Sequence, residues 1–280
     1  MIIRKILIPT DGSDCAKTAL EYGIYFATRL DAQLVGLHVM DLRLVQGPAF
    51  TDITGSVGLP PYQEFLPLFQ HSLEERAELI LQSFKARCEG AGLHPETKKT
   101  AGIIDETIVA EAEDADLIIL AQSGEHFHIR GGPILGSTAE SVVRKSRRPV
   151  MVTPAMFREI ESMGLAYDGS APAENALKLA AELYEQTSWP LSVIIITDDH
   201  DVGAHLTQKI EDFLEPYKID STTIILRGKE DREIIKFIEE GSVELMVMGA
   251  YGHNRLRELI LGSTTSYVIR KSTIPVLLSR

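Results

Sequence analysis

The stretch IPTDGS at residues 8–13 decides the fold, because it returns as LAYDGS at residues 165–170. The offset of 157 residues then holds without a gap as far as Val39 and Ile196. In both copies an apolar run precedes the Asp-Gly-Ser turn, and apolar residues at helical spacing follow it. Each copy therefore begins with a buried strand, a turn ending in a capping serine, and an amphipathic helix.

A second repeated stretch marks the end of each copy. The sequence GST at residues 136–138 returns at 262–264, and the matches continue to the end of the copy at an offset of 126 residues. The first copy is therefore 31 residues longer, and the extra residues fall in the Gly- and Pro-containing stretch 43–71, where we expect a loop. We expect one domain at residues 1–155, a short linker, and a second domain at 162–280.

Within the first copy, short apolar runs alternate with stretches of helical periodicity. Strands separated by helices predict parallel βαβ units in an open, doubly wound α/β sheet with helices on both faces. Such sheets bind ligands at the carboxyl ends of their strands, at the topological switch point. The predicted strands are 4–9, 33–39, 96–101, 116–121 and 150–153, and the predicted helices are 14–30, 73–88, 104–115 and 137–146.

Composition excludes several classes of protein. The net charge of −12 over 280 residues disfavours nucleic-acid binding, and no apolar run approaches the roughly 18 residues of a membrane span. The chain starts with a strand-like run rather than a secretory leader, so we expect a cytoplasmic protein. Its two cysteines, Cys15 and Cys88, lack CxxC spacing and lie on predicted helices, which indicates packing roles rather than a disulfide or zinc site.

The predicted carboxyl edge carries a glycine-rich loop. From Gly249 to Ser263 the second copy follows the pattern G-x2-G-x9-G-[ST], directly before a predicted helix. Glycines let the backbone approach a bulky anion, and hydroxyls and amides at a helix N-terminus favour phosphate. Asp168 ends the first strand of the same copy, where its carboxylate could accept ribose hydroxyls or hold Mg²⁺. The loop therefore suits a polyphosphate.

With these motifs the chain resembles a tandem universal stress protein. That family's domain is a flavodoxin-like, five-stranded and mainly parallel sheet, and its nucleotide-binding branch holds ATP, or another adenine nucleotide, through the motifs quoted above. The resemblance implies an ATP site in the second copy at Ala166, Asp168, Ile196 (main chain), Met248, Gly249, Gly252, His253, Arg255, Gly262, Ser263 and Thr264. It implies a corresponding, less complete site in the first copy at Pro9, Thr10, Asp11, Val39, Gly124, Gly136, Ser137 and Thr138.

The first copy departs from the family pattern at two points. Ala121 replaces the first glycine, and eleven residues rather than nine separate Gly124 from Gly136. Gly131 and Gly132 would let the longer loop fold over a phosphate, or else the site is degenerate. The sequence therefore favours the second copy as the nucleotide site.

The motif residues also have simpler, purely structural interpretations. The glycines could be turn residues, and Asp11 and Asp168 could form Asx turns. His38, His126 and His128 lack acidic or cysteine partners at fixed spacing, so no metal site is expected.

The resemblance implies an ATP-binding protein of stress response or regulation, acting through nucleotide-dependent shape or partner contacts. No residue is an evident dedicated base, so binding is favoured over catalysis. A slow Mg²⁺-dependent ATPase and a nucleotide-free interaction scaffold are the alternatives. The resemblance also implies that the last strands, 150–153 and 276–279, meet as an intramolecular pseudo-dimer, which would cover two open sheet edges. Whether two chains then form a homodimer stays open.

Overall fold

A computed structural model describes residues 3–41, 62–124, 136–250 and 262–280. Within these ranges the chain alternates strands and helices throughout. No helix among the described residues combines the length and the apolar character needed to cross a lipid bilayer.

The first half contains five strands and four helices in the described ranges. Helix α1 is capped by Ser13, whose hydroxyl accepts a hydrogen bond from the Ala16 amide. The elements are β1 (Lys5–Pro9), α1 (Asp14–Leu30), β2 (Gln33–Asp41), α2 (Tyr62–Glu89), β3 (Glu96–Gly102), α3 (Ile104–Glu111), β4 (Leu117–Ala121), α4 (Ser137–Lys145) and β5 (Val150–Thr153).

The second half repeats this order. Ser170 caps its first helix as Ser13 caps α1, by accepting a hydrogen bond from the Ala173 amide. The elements are β6 (Met163–Ala166), α5 (Ala171–Thr187), β7 (Leu191–Ile196), α6 (His200–Leu214), β8 (Ser221–Leu226), α7 (Glu230–Glu239), β9 (Leu245–Gly249), α8 (Ser263–Lys271) and β10 (Val276–Ser279).

All ten strands form one continuous sheet in the order β3-β2-β1-β4-β5-β10-β9-β6-β7-β8. Within each half the five strands are parallel, and the switch point lies where the first strand separates the second from the fourth. The predicted α/β, doubly wound class is therefore correct.

Strands β5 and β10 join the two halves as antiparallel neighbours, with Met151 opposite Leu277. Because this junction is antiparallel, the carboxyl ends of the first half's strands and of the second half's strands lie at opposite edges of the sheet. The two switch points therefore face in opposite directions.

Helices cover both faces of the sheet, so the core has two layers. One layer holds the buried residues of α1, α2, α5 and α6, including Tyr22 and Phe26, and the other holds those of α3, α4, α7 and α8, including Val142 and Val268. A helix therefore stands beside each strand end that carries a motif residue.

The predicted loop at 43–71 is wrong over its last part, because α2 already begins at Tyr62. The 31-residue difference between the copies and the Gly- and Pro-containing composition predicted a loop here, but Pro67 lies inside this 28-residue helix. Near the start of so long a helix, one missing backbone donor interrupts the hydrogen-bond ladder without ending it. The helix predicted at 104–115 also ends earlier, at Glu111, and a 3₁₀ turn continues it over Ala112–Asp114.

The connection between β5 and β6 is held against α1 by two tyrosines. The Tyr22 hydroxyl donates to the carbonyl of Met156 at 3.2 Å, and the Tyr25 hydroxyl donates to that of Ile160 at 2.6 Å. Tyr25 also stacks on Trp189, with ring centroids 6.2 Å apart. Since Trp189 follows α5, this contact adds an aromatic seam between the halves.

Candidate functional site

The Asp-Gly-Ser turn has the same geometry in both halves. The Oδ1 oxygens of Asp11 and Asp168 each accept the amide of the serine two residues on, at 3.0 Å. Gly12 and Gly169, which separate each aspartate from its serine, have positive φ angles of 80° and 76°. Both aspartates therefore form the Asx turn that the simpler interpretation predicted, and one carboxylate oxygen of each is engaged in doing so.

The other oxygen of Asp11 lies against the loop that follows β4. A β-carbon built on Gly124 would stand 2.7 Å from Asp11 Oδ2, closer than non-bonded atoms approach. The ends of β1 and β4 thus converge at the switch point, and any side chain at position 124 would displace the Asp11 carboxylate. The sequence suggested Gly124 as a phosphate contact; its closeness to Asp11 required the fold to be seen.

Helices α4 and α8 begin at the GST motifs and offer main-chain amides at their N-termini. Among the described residues, no side chain caps either helix, in contrast to the serine caps of α1 and α5. Uncapped N-terminal amides are the donor set that an anion requires. Gly136 itself donates its amide to the carbonyl of Gln122 at 2.9 Å, which closes the two ends of the intervening segment against each other.

The main-chain N–H and C=O of Val39 face the switch point of the first half. The carbonyl of Leu37 accepts the Thr10 amide at 2.8 Å, so Leu37 faces β1. Alternate residues of a parallel strand bond to the same neighbour, so Val39 faces the space beyond the last residue of β1. Ile196 has the same relation to Ile194, whose carbonyl accepts the Tyr167 amide at 3.0 Å. In each half a main-chain donor and acceptor are therefore aimed at the switch point.

At the switch point of the second half Ala166, the last residue of β6, pairs with Met248, the next-to-last residue of β9. Gly249 follows, and a β-carbon there would lie 2.9 Å from backbone atoms of Pro172 and Ala173 in α5. Helix packing alone therefore requires this glycine. The contrast between Gly249 and Ala121 was one of two grounds for preferring the second copy, beside the longer spacing in the first, and it has this packing cause.

The GST residues differ in their partners. Thr264 donates its hydroxyl to Glu230 at 3.3 Å, whereas Ser137 and Thr138 line a polar cleft of about 320 Å³ together with Asp105, Glu140, Ser141 and Arg144. Burial by itself raises the pKa of Asp105, but hydrogen bonds from Lys145 and Ser141 outweigh it and hold that pKa below its usual range. This cleft is therefore bordered by an ionised carboxylate.

Several predicted residues lie outside the described ranges. These are Gly252, His253 and Arg255 of the second site, Gly131 and Gly132 of the first, and the histidines His126 and His128. His38 is described, and its Nδ1 lies 2.8 Å from the carbonyl oxygen of Thr10. Across the described part of the chain, no three His, Cys, Asp or Glu side chains group as metal ligands.

Two residues near the first site were not singled out by sequence. Gln122 donates its side-chain amide to the carbonyl of Ile269 in the second half. The Ser123 hydroxyl lies 3.5 Å from the Sγ atom of Cys15, which is half-buried, whereas Cys88 is fully buried as predicted. Only their position between Ala121 and Gly124 could have drawn attention to residues 122 and 123.

Comparison with known proteins assigns the family. The model of the universal stress protein family matches residues 3–154 and 204–280. Universal stress protein Slr1230 of Synechocystis sp. is 30% identical over 289 residues, covering 99% of this chain and all of the relative. Universal stress protein MJ0577 of Methanocaldococcus jannaschii is 33% identical over 156 residues, covering 54% of this chain and 95% of that protein.

A solved structure agrees over the whole chain. The crystal structure of a universal stress protein from Archaeoglobus fulgidus superposes with a TM-score of 0.75, covers 99% of this chain and 96% of its own, and is 24% identical, which supports the shared fold. With family matches in both halves and a relative aligned from end to end, the chain belongs to the universal stress protein family, as a tandem member.

Proposed function

We propose that the protein binds ATP, or another adenine nucleotide, at the carboxyl edge of each half and acts in stress response through its nucleotide state. The observation that carries this proposal is the convergence of Asp11, Gly124 and Gly136 at the first switch point. The Asp11 carboxylate lies against Gly124. The amide of Gly136 closes the loop at the start of an uncapped helix.

Each part of the nucleotide has a chemically matched group. Main-chain amides at the starts of α4 and α8 would bind the phosphates, because a helix N-terminus favours negative charge. Asp11 and Asp168 would accept ribose hydroxyls. The main chains of Val39 and Ile196 face past the ends of β1 and β6, where a donor and an acceptor side by side suit the edge of an adenine ring.

Both halves belong to this proposal. Gly249 is explained by its contact with α5, so Ala121 is no evidence against nucleotide in the first half. The first half also leaves Ser137 and Thr138 on an open cleft, while Thr264 is engaged with Glu230. We therefore expect two nucleotides per chain, with the proposed domains at 1–155 and 162–280 each supplying one site.

Equilibrium binding of ATP with Mg²⁺ to the purified full chain tests this proposal. We expect two ATP per chain for the wild type, one for Gly136→Asp and one for Gly262→Asp, because a carboxylate at either helix start repels phosphate. Gly92→Asp is the control for an added carboxylate: a β-carbon at Gly92 meets no atom within 4 Å, and the substitution lowers stability, because Gly92 has a positive φ of 79°, without placing charge at either helix start. Absence of binding by the wild type would refute the proposal.

Phosphate release measured in the same samples separates binding from hydrolysis. We expect the bound ATP to be recovered intact. Steady release of phosphate that Asp168→Ala abolishes would instead identify a slow ATPase.

A further inference from the structure

Helix α8 physically connects the two carboxyl edges of the sheet. It begins at Ser263, at the edge that carries the second half's strand ends. Because the halves are antiparallel, its last turn reaches the opposite edge, where the first half's strands end. The nine residues of α8 span roughly 13 Å along the helix axis, which is about the distance between the two edges of the sheet at which strands begin and end.

Gln122 lies where the last turn of α8 meets the first half. Its amide N–H donates to the carbonyl of Thr153 at 3.0 Å, and its carbonyl accepts the Gly136 amide at 2.9 Å. Its side-chain amide donates to the carbonyl of Ile269, in the last turn of α8. One residue therefore joins the first half's loop, its last strand and the second half's helix.

A different contact is found where the last turn of α4 meets the second half. Arg280, at the end of β10, donates to the carbonyl of Arg144 in the last turn of α4 at 3.5 Å. Ala250 occupies the place that Gln122 has in the first half, and it has no side-chain amide to donate. A side chain at this motif position therefore joins the two halves in the first half and not in the second.

We propose that Gln122 couples the two candidate nucleotide sites, so that nucleotide in one half changes the affinity of the other. The coupling rests on the proposed function. A phosphate bound at the start of α4 would compete for the Gly136 amide that Gln122 now accepts. A shift of Gln122 would then move the last turn of α8, whose first turn belongs to the other site. Because coupling free energy is reciprocal, nucleotide at α8 would act back on the first half equally.

The test is whether the two sites are additive. ATP isotherms are measured for the wild type and for the single-site variants Gly136→Asp and Gly262→Asp. We expect the wild-type isotherm to depart from the sum of the two single-site isotherms by an affinity factor of at least about five-fold. The same three isotherms are then measured with Gln122→Met, which keeps the length of the side chain and removes its donor.

With Gln122→Met we expect the departure from additivity to fall below an affinity factor of about two, while each single site still binds ATP. Because the comparison is a ratio within one background, a change in stability or in the first site's own affinity does not alter it. The matched control is Gln208→Met, since the exposed Gln208 side chain donates to Asp212 of its own helix at 2.8 Å and makes no contact between the halves among the described residues.

Two results would overturn the coupling. Two ATP bound with additive isotherms in the wild type would remove it and leave the proposed function intact. A departure that persists in Gln122→Met would show that the link runs elsewhere. Failure of the wild type to bind ATP is a different outcome, which removes the proposed function itself.

Discussion

The Oδ2 oxygen of Asp11 lies so close to Gly124 that a β-carbon at position 124 would stand 2.7 Å from it. The two residues are 113 positions apart in the sequence and meet only because β4 lies next to β1. One oxygen of the Asp11 carboxylate is thus held by its own Asx turn, and the other lies against the loop after β4.

This contact predicts the effect of Gly124→Ala. The methyl group would displace the Asp11 carboxylate, so we expect ATP affinity at the first site to fall at least about ten-fold, or 1.4 kcal/mol. Isothermal titration of a chain whose second site is blocked by Gly262→Asp measures it. Gly92→Ala should show the opposite pattern: its positive φ of 79° makes alanine unfavourable, so stability falls while affinity does not. Unchanged affinity in Gly124→Ala would remove Asp11 from the site.

Gly249→Ala should destabilise the protein without any nucleotide present. Its β-carbon would lie 2.9 Å from the backbone of Pro172 and Ala173, and backbone atoms cannot step aside as a flexible side chain can. We expect a loss of about 1–3 kcal/mol in the free energy of unfolding, measured by urea denaturation. The reciprocal change Ala121→Gly should cost only about 0.5–1 kcal/mol through backbone entropy. Equal losses in the two variants would contradict the packing explanation of this pair.

The two cysteines should react differently. Burial raises the pKa of the Cys88 thiol to about 11, so at pH 8 it stays protonated and inaccessible, whereas half-buried Cys15 is open to reagent. Iodoacetamide followed by mass spectrometry should find one labelled thiol in the native protein and two after denaturation. Because Cys15 lies beside Ser123, ATP should slow its labelling. Labelling of Cys88 at the rate of Cys15 would contradict the described packing.

The raised pKa of the Cys88 thiol also predicts how the free energy of unfolding changes at alkaline pH. A raised pKa means that the fold favours the neutral thiol, so this contribution is complete below pH 9 and is lost as pH rises toward 11. The stability difference between wild type and Cys88→Ala should therefore shrink across that interval, as measured by urea denaturation at each pH. A constant difference would show that the thiol does not titrate there.

Asp105 and its counterpart Asp231 offer a matched pair. Asp105 accepts Lys145 at 2.7 Å and the Ser141 hydroxyl. At the second position Tyr267 replaces the serine, Asp231 Oδ2 accepts a hydrogen bond from the exposed Lys229 at 3.2 Å, and Asp231 Oδ1 has no partner among the described residues. We expect Asp105→Asn to cost about 1–2 kcal/mol at pH 7 and Asp231→Asn clearly less. The wild type should lose the Asp105 contribution as pH falls below about 4, because its folded pKa is lowered. An equal cost in both variants would show that the serine and lysine add nothing.

Periodicity and the internal repeat were enough to predict the order of strands and helices, since each half buries a regular apolar pattern. They placed most element ends within two or three residues, and failed mainly at Tyr62, where prolines outweighed helical spacing. The tandem arrangement was likewise readable, because both copies keep the Asp-Gly-Ser turn and the GST motif.

The partners of the site residues could not be predicted, because they depend on distances between elements far apart in sequence. Gly249 is the clearest case: its place in a motif suggested a ligand, while its nearest atoms belong to α5. Gln122 is the converse case, a polar residue at a position that the motif does not specify, whose partner, Ile269, lies in the other half. Contacts of this kind follow from topology and not from spacing.

The antiparallel junction between β5 and β10 has a further consequence for recognition. The two proposed sites lie at opposite ends of one continuous sheet, so a single flat partner surface cannot cover both. A binding protein that docks at one end would contact one site directly. The state of the other site could affect that protein only through a conformational change transmitted along the chain. Under the proposed function, a partner that contacts bound nucleotide directly would therefore have to approach from the end of the sheet that carries that site.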